Sequence, residues 1–146
     1  MISTDVDLIG PWVYKRIKGH WVPGRSIAIG NIRNGVIVAG TVYEEYTGAN
    51  MFCHIAGDGE WADRRFLHAI FDYPFNVAKV LRITAPVSSL NPKSIRLVEK
   101  MGFTIEAKLS QAIPGGDLLL YKMFRSDCKY LGDRYGKRYS GSSSST

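Results

Sequence analysis

Asn91-Pro92-Lys93-Ser94-Ile95-Arg96-Leu97-Val98-Glu99-Lys100-Met101-Gly102-Phe103 reads as one complete helix with both ends marked. Asn91 suits the N-cap, where its side-chain oxygen accepts from a free first-turn amide. Pro92 suits the first helical position, where its missing N–H costs nothing. Ile95, Leu97, Val98 and Met101 recur at helical spacing and give an apolar side. Lys93, Arg96, Glu99 and Lys100 fill the other side. Gly102 stands where a left-handed residue closes a helix. Phe103 then opens a strand-like run through residue 109.

The chain before this helix alternates strands and loops. Residues 26–30 and 36–43 read as strands, and Asn34-Gly35 between them is a hairpin signal, because both residues tolerate positive φ. Residues 50–55 form the next strand, and a helix over residues 62–71 follows, with Phe66, Leu67, Ile70 and Phe71 as its buried face. Tyr73-Pro74 is expected to stop that helix. Residues 80–85 form a further strand, so strand, helix and strand predict a parallel pair. Residues 103–109 and 118–124 are the last strands, with a turn at Pro114-Gly115-Gly116-Asp117. Near the N-terminus, residues 5–19 are helical in part, with a boundary expected at Gly10-Pro11. Trp12, Tyr14 and Trp21 read as core aromatics.

A capped helix that ends in Glu-Lys-x-Gly-Phe, with a glutamate soon after, resembles the GNAT acetyltransferase superfamily. Asn91, Ser94, Glu99, Lys100, Gly102, Phe103 and Glu106 carry the match. The resemblance is strongest to the branch with ribosomal-protein N-terminal acetyltransferases and to phage-encoded relatives, and it takes in Phe71-Asp72-Tyr73-Pro74-Phe75 as well. It implies a single-domain α/β fold: a mixed, mostly antiparallel twisted sheet, flanked by helices, with a central parallel pair of strands splayed at the cofactor site. It implies acetyl-coenzyme A as cofactor. It also implies transfer of acetyl to a primary amine on a protein N-terminus, a lysine or a small molecule.

Composition agrees with one globular domain over residues 1–139 and a flexible serine-rich tail over residues 140–146. The net charge is +6 and the pI about 9.4, which favours anionic partners such as a phosphate-bearing cofactor or nucleic acid. No apolar run approaches a membrane span, and no secretory signal is expected. Cys53 and Cys128 are too few for a disulfide framework, so a reducing, cytoplasmic setting is the default expectation. No zinc spacing, Walker loop, Rossmann fingerprint or nucleophile elbow occurs. Monomer and homodimer both stay open.

The phosphates of the cofactor are expected at Gly57-Asp58-Gly59-Glu60-Trp61 and the start of the helix after it. Glycines admit close backbone approach, and a helix N-terminus offers free amides. Only Gly57-x-Gly59 of the family's longer glycine loop is present, and an ordinary turn is the alternative. Arg64 and Arg65 would supply positive charge. By resemblance, Asn91 and Ser94 flank the pantetheine arm, Ser94 assists the leaving thiolate, and Trp12, Tyr14 and Trp21 also have a place on the wall of the acceptor cleft; the two helix starts, at one end of the parallel pair, then put the thioester near Ala56 and Val87. The family's helix tyrosine is replaced by Val98, so Tyr121 is the substitute proton donor. His54 or Glu60 would be the base. The rival reading is an inactive GNAT-fold binding protein, nucleic-acid-associated through a tail in which Tyr130, Tyr135 and Tyr139 alternate with basic residues.

Overall fold

The computed structural model describes residues 1–132, so the serine-rich tail, Tyr135 and Tyr139 lie outside the described residues. One seven-stranded sheet runs through the molecule in the order β1-β2-β3-β4-β5-β7-β6. Its strands are β1 (Ile2–Ser3), β2 (Ile27–Arg33), β3 (Val36–Glu44), β4 (Asn50–Gly57), β5 (Arg82–Ser88), β6 (Thr104–Ile113) and β7 (Gly116–Phe124). Among the described residues, three α-helices flank it: α1 (Val6–Ile17), α2 (Arg64–Asp72) and α3 (Pro92–Met101). β4 and β5 pair in parallel, and the other neighbours are antiparallel.

The hairpin turn at Asn34-Gly35 forms with both residues at positive φ, 53° and 78°. The α3 signals hold as well. Asn91 accepts from the Ser94 amide at 3.1 Å, and Gly102 closes the helix at φ 107°.

Two cores sit on opposite faces of the sheet. On one face, α1 lays Ile9 and Val13 on Ala28, Val42 and Ala56. Gly30 and Gly40 face each other across β2 and β3, and a Cβ on either would strike Ile9 within 3 Å. These glycines let α1 rest on the sheet backbone. On the other face, Phe66, Ile70 and Phe71 of α2 and Val98 and Met101 of α3 pack over Met51, Cys53, Ile55, Ile83, Ala85 and Met123.

Three local expectations are corrected. Helix α1 runs through Gly10-Pro11, because the apolar stripe of Ile9, Val13 and Tyr14 is buried on both sides of the proline. Gly10 is needed there because the Trp21 ring covers its Cα face. Tyr73-Pro74 does not stop the chain's coiling: a π-helical turn, Tyr73–Val77, continues from α2 and buries Pro74 and Phe75. Pro86 lies inside β5, opposite Leu120 of β7, rather than beyond the strand. Its missing N–H is tolerated because the β4-facing edge of β5 is unpaired at that level.

Candidate active site

The parallel ladder between β4 and β5 is short. It pairs Asn50 with Arg82, Met51 with Ile83 and Phe52 with Thr84, and then ends. Beyond Phe52, β4 continues to Gly57 against β3, while β5 continues to Ser88 against β7. The sheet therefore opens into a V whose mouth lies at the C-terminal ends of both strands. A polar network secures its closed end. Thr84 Oγ1 donates to Asn50 Oδ1 at 2.8 Å, and Arg82 donates to the same oxygen at 3.3 Å and to Glu106 at 2.6 and 3.0 Å.

Each strand of the V feeds a helix, so both helices start at the end of the sheet where the V opens: α3 at the mouth itself, and α2 over the end of β2, where Asp63 meets Asn31 and Arg33. In open α/β sheets that end of a strand pair is where ligands bind. Ser94 lies in the first turn of α3, half-buried. Lys93 beside it donates from Nζ to the Gly57 carbonyl at 3.2 Å, which joins the two lips of the V.

Between α2 and α3 runs a groove of about 630 Å3, lined in part by Arg33, Trp61, Leu67, Leu97, Lys100 and Lys129. Trp61 is buried, and its indole lies so close on Gly57 that a Cβ there would sit 2.4 Å from the ring. Lys100 and Lys129 come from the end of α3 and the C-terminal segment, a pairing no local motif announces.

The start of α2 differs from the expectation. Asp63 caps it by accepting from the Phe66 amide at 2.8 Å, and the same carboxylate accepts from Arg33 at 2.8 Å and Asn31 at 3.0 Å. Burial opposes the Asp63 charge, but these donors outweigh it and hold the pKa below the usual range. The helix end is thus already occupied by an anion of the chain. Arg64 and Arg65 are exposed beside it. Asp58 is paired in a fork by Arg16, whose hydrogen bonds hold the carboxyl below its ordinary value. Gly59 adopts φ 61° with open space at its Cα.

The expected proton-handling residues divide between the two faces. Tyr121 is buried on the α3 face and donates to Glu99 at 2.7 Å. Burial first, and the Glu99 carboxylate second, push its phenol up to about 12. Glu60 lines the groove on that same side, where its backbone carbonyl accepts from Arg33. Val87 is buried there too, whereas Ala56 belongs to the α1 core. His54 lies on the α1 face, just past the apex of the V. Its Nε2 meets Glu44 Oε1 at 3.2 Å, and the Tyr14 ring packs edge-on at 5.4 Å. Glu44 Oε2 also accepts from Tyr14 at 2.6 Å and Ser26 at 2.9 Å. The His54 hydrogen bond is the main reason that the Glu44 carboxyl falls to about 2, and the Tyr14 and Ser26 donors add to it against the opposing effect of burial. So His54, Glu60 and Tyr121 do not converge on one point. Period-2 alternation would have placed His54 and Tyr121 by face only if the strand order had been known.

No family model matches the sequence, and no curated protein sequence matches it either. Solved structures do. A variant of spermidine N-acetyltransferase from Vibrio cholerae superposes with a TM-score of 0.60 at 18% identity, over 82% of this chain and 75% of that one. A GNAT-family acetyltransferase from Bacillus anthracis gives 0.57 at 19% identity, over 84% of each chain. Ribosomal-protein-S5-alanine acetyltransferase from Vibrio fischeri gives 0.59 at 17%, over 84% of this chain and 71% of that one. This chain has the GNAT fold.

The GNAT fold implies acetyl-coenzyme A, and the residues present fit it. Beyond Phe52 and Thr84 the facing edges of β4 and β5 are unpaired, and the groove beside them offers an apolar floor with Lys100 and Lys129 for phosphate. Among the described residues no cluster of His, Cys, Asp or Glu is arranged to hold a metal ion, and no helix is long and apolar enough to cross a membrane.

Proposed function

We propose that this protein is an N-acetyltransferase that uses acetyl-coenzyme A and acts on a primary amine. The observation that carries the reading is the parallel ladder that stops at Phe52 and Thr84, with the N-terminus of α3 at the mouth beyond it. When bound, acetyl-coenzyme A supplies the acetyl group as a thioester; the amine nitrogen takes it as the C–S bond breaks and the electron pair leaves on sulfur. The chain's residues have three tasks. Lys100, Lys129 and Lys93 attract phosphate from the groove and the mouth. Asn91 and Ser94 would border the arm, and the Ser94 hydroxyl would donate to the leaving thiolate. His54, past the apex on the α1 face, takes the proton that the amine loses. The acceptor is an amine of a protein N-terminus, a lysine or a small molecule.

The test is to incubate purified protein with acetyl-coenzyme A and a panel of amines, following free thiol and product mass. The expected result is thiol release that depends on one amine class, with a rise in melting temperature on cofactor addition. A rise without transfer would mark a binding protein that keeps the fold without the chemistry. The absence of both would overturn the reading.

A further inference from the structure

Glu44 is the last residue of β3 and pairs across the sheet with Phe52, the residue at which the β4–β5 ladder ends. Its carboxylate therefore sits beside the apex of the V. Three groups converge on it: His54 from β4, Tyr14 from α1 and Ser26 from the segment before β2. The side chains of His54 and Glu44 are only 14% and 20% exposed, so bulk water competes weakly for these bonds. Among the described residues, the titratable groups that face His54 are Glu44 of β3 and Tyr14 of α1.

An ionised carboxylate accepts and cannot donate. Glu44 is held ionised well below neutral pH, so every partner on it must be the donor. Tyr14 and Ser26 give their hydroxyl hydrogens, and His54 gives the hydrogen on Nε2. A neutral imidazole with its hydrogen on Nε2 carries its lone pair on Nδ1. The Tyr14 ring, itself packed on Trp21 at 5.5 Å, limits how far the His54 ring can turn.

We propose that Glu44 is a positioning residue: it fixes His54 in the Nε2–H tautomer, so that Nδ1 is the nitrogen offered to the acceptor amine. The proposal rests on the acetyltransferase reading above. As the C–N bond forms, the proton leaves nitrogen for Nδ1. The imidazolium so formed then keeps its Nε2–H on a carboxylate, which stabilises the charge where it develops. The thiolate takes its proton from a donor at the mouth or from solvent.

The test joins spectroscopy with kinetics. With histidine labelled with nitrogen-15, and the His54 signals identified by His54→Gln, the unliganded wild-type protein is expected to show the Nε2–H tautomer near neutral pH. Glu44→Gln is expected to give mixed tautomers, to lower kcat on the order of 100-fold with little change in KM, and to move the acid limb of the rate profile to lower pH. Glu44→Asp, which keeps the charge, is expected to recover part of kcat. An Nδ1–H or doubly protonated ring in the wild type overturns the proposal, and that measurement stands even if Glu44→Gln does not fold. A Glu44→Gln protein that only melts earlier, with tautomer and acid limb unchanged, also overturns it and leaves Glu44 as a clamp for α1. Full activity in His54→Gln instead removes the base from the acetyltransferase reading, whatever the tautomer shows.

Discussion

Lys93 Nζ donates to the Gly57 carbonyl at 3.2 Å across the mouth of the V, so a first-turn residue of α3 ties the end of β4. Lys93 is otherwise exposed on the helix surface, and a phosphate is a stronger partner for an ammonium than a neutral carbonyl is. Lys93→Met is expected to weaken coenzyme A binding about tenfold, the effect of losing ~1.4 kcal/mol, while leaving the melting temperature nearly unchanged. Isothermal titration at low and moderate salt checks this; an unchanged Kd would confine Lys93 to closing the mouth.

The groove cations are expected to matter more than the arginines at the start of α2. Lys100 and Lys129 line the groove, whereas Arg64 and Arg65 are exposed outside it. Lys100→Glu with Lys129→Glu is expected to raise the Kd for coenzyme A by roughly tenfold or more, and Arg64→Glu with Arg65→Glu by less, with an effect that fades as salt screens it. Side-by-side titrations decide, and an equal loss from both pairs would move the phosphates toward α2.

Gly57→Ala is expected to destabilise the protein by about 1–3 kcal/mol, the usual cost of overpacking. The new methyl would meet the buried Trp61 ring at 2.4 Å, and that ring is wedged against Phe66. Gly59→Asn, at φ 61° with nothing near its Cα, is expected to cost little, because asparagine accepts the left-handed region. Denaturant unfolding of the two variants gives the comparison.

Glu44 makes the fold acid-sensitive. Its pKa falls from an ordinary 4.5 to about 2 in the folded chain, so the unfolded state binds the proton more readily. The resulting stability is fully present above pH 4.5 and disappears as the pH falls through about 2. After allowance for solvent screening it amounts to about 1–2 kcal/mol. Glu44→Gln is expected to be less stable at pH 7 and to show a shallower loss of stability on acidification. Thermal melts across that window check the sign; parallel curves would place the charge effect elsewhere.

Much of the scaffold is written locally. Asn91, Pro92 and Gly102 mark both ends of α3, and Asn34-Gly35 marks the hairpin, because caps and turns are satisfied by residues a few positions apart. The strand–helix–strand rhythm places two helix N-termini at one end of a parallel pair. What carries past these signals is packing. Pro11 stays inside α1 because Ile9, Val13 and Tyr14 bury around it, and Pro74 is absorbed by a π-helical turn with Phe75 in the core. A local breaker costs roughly 3 kcal/mol or more, and burial of several side chains offsets that.

The sequence by itself determined the caps, the turns, the alternation that puts His54 and Phe52 on one face of β4, and the resemblance that led to the fold. Only the tertiary structure decided where the V stops, that His54 and Tyr121 face opposite sides, that Arg33 and Asn31 reach the Asp63 cap of α2, and that Glu44 meets His54. Those facts depend on which strands become neighbours. Glu44 and His54 are ten residues apart on antiparallel strands, and Lys100 and Lys129 are joined only when the C-terminal segment returns to α3. Contacts of that kind arise from sheet order and from the burial of faces, which no short window of residues contains.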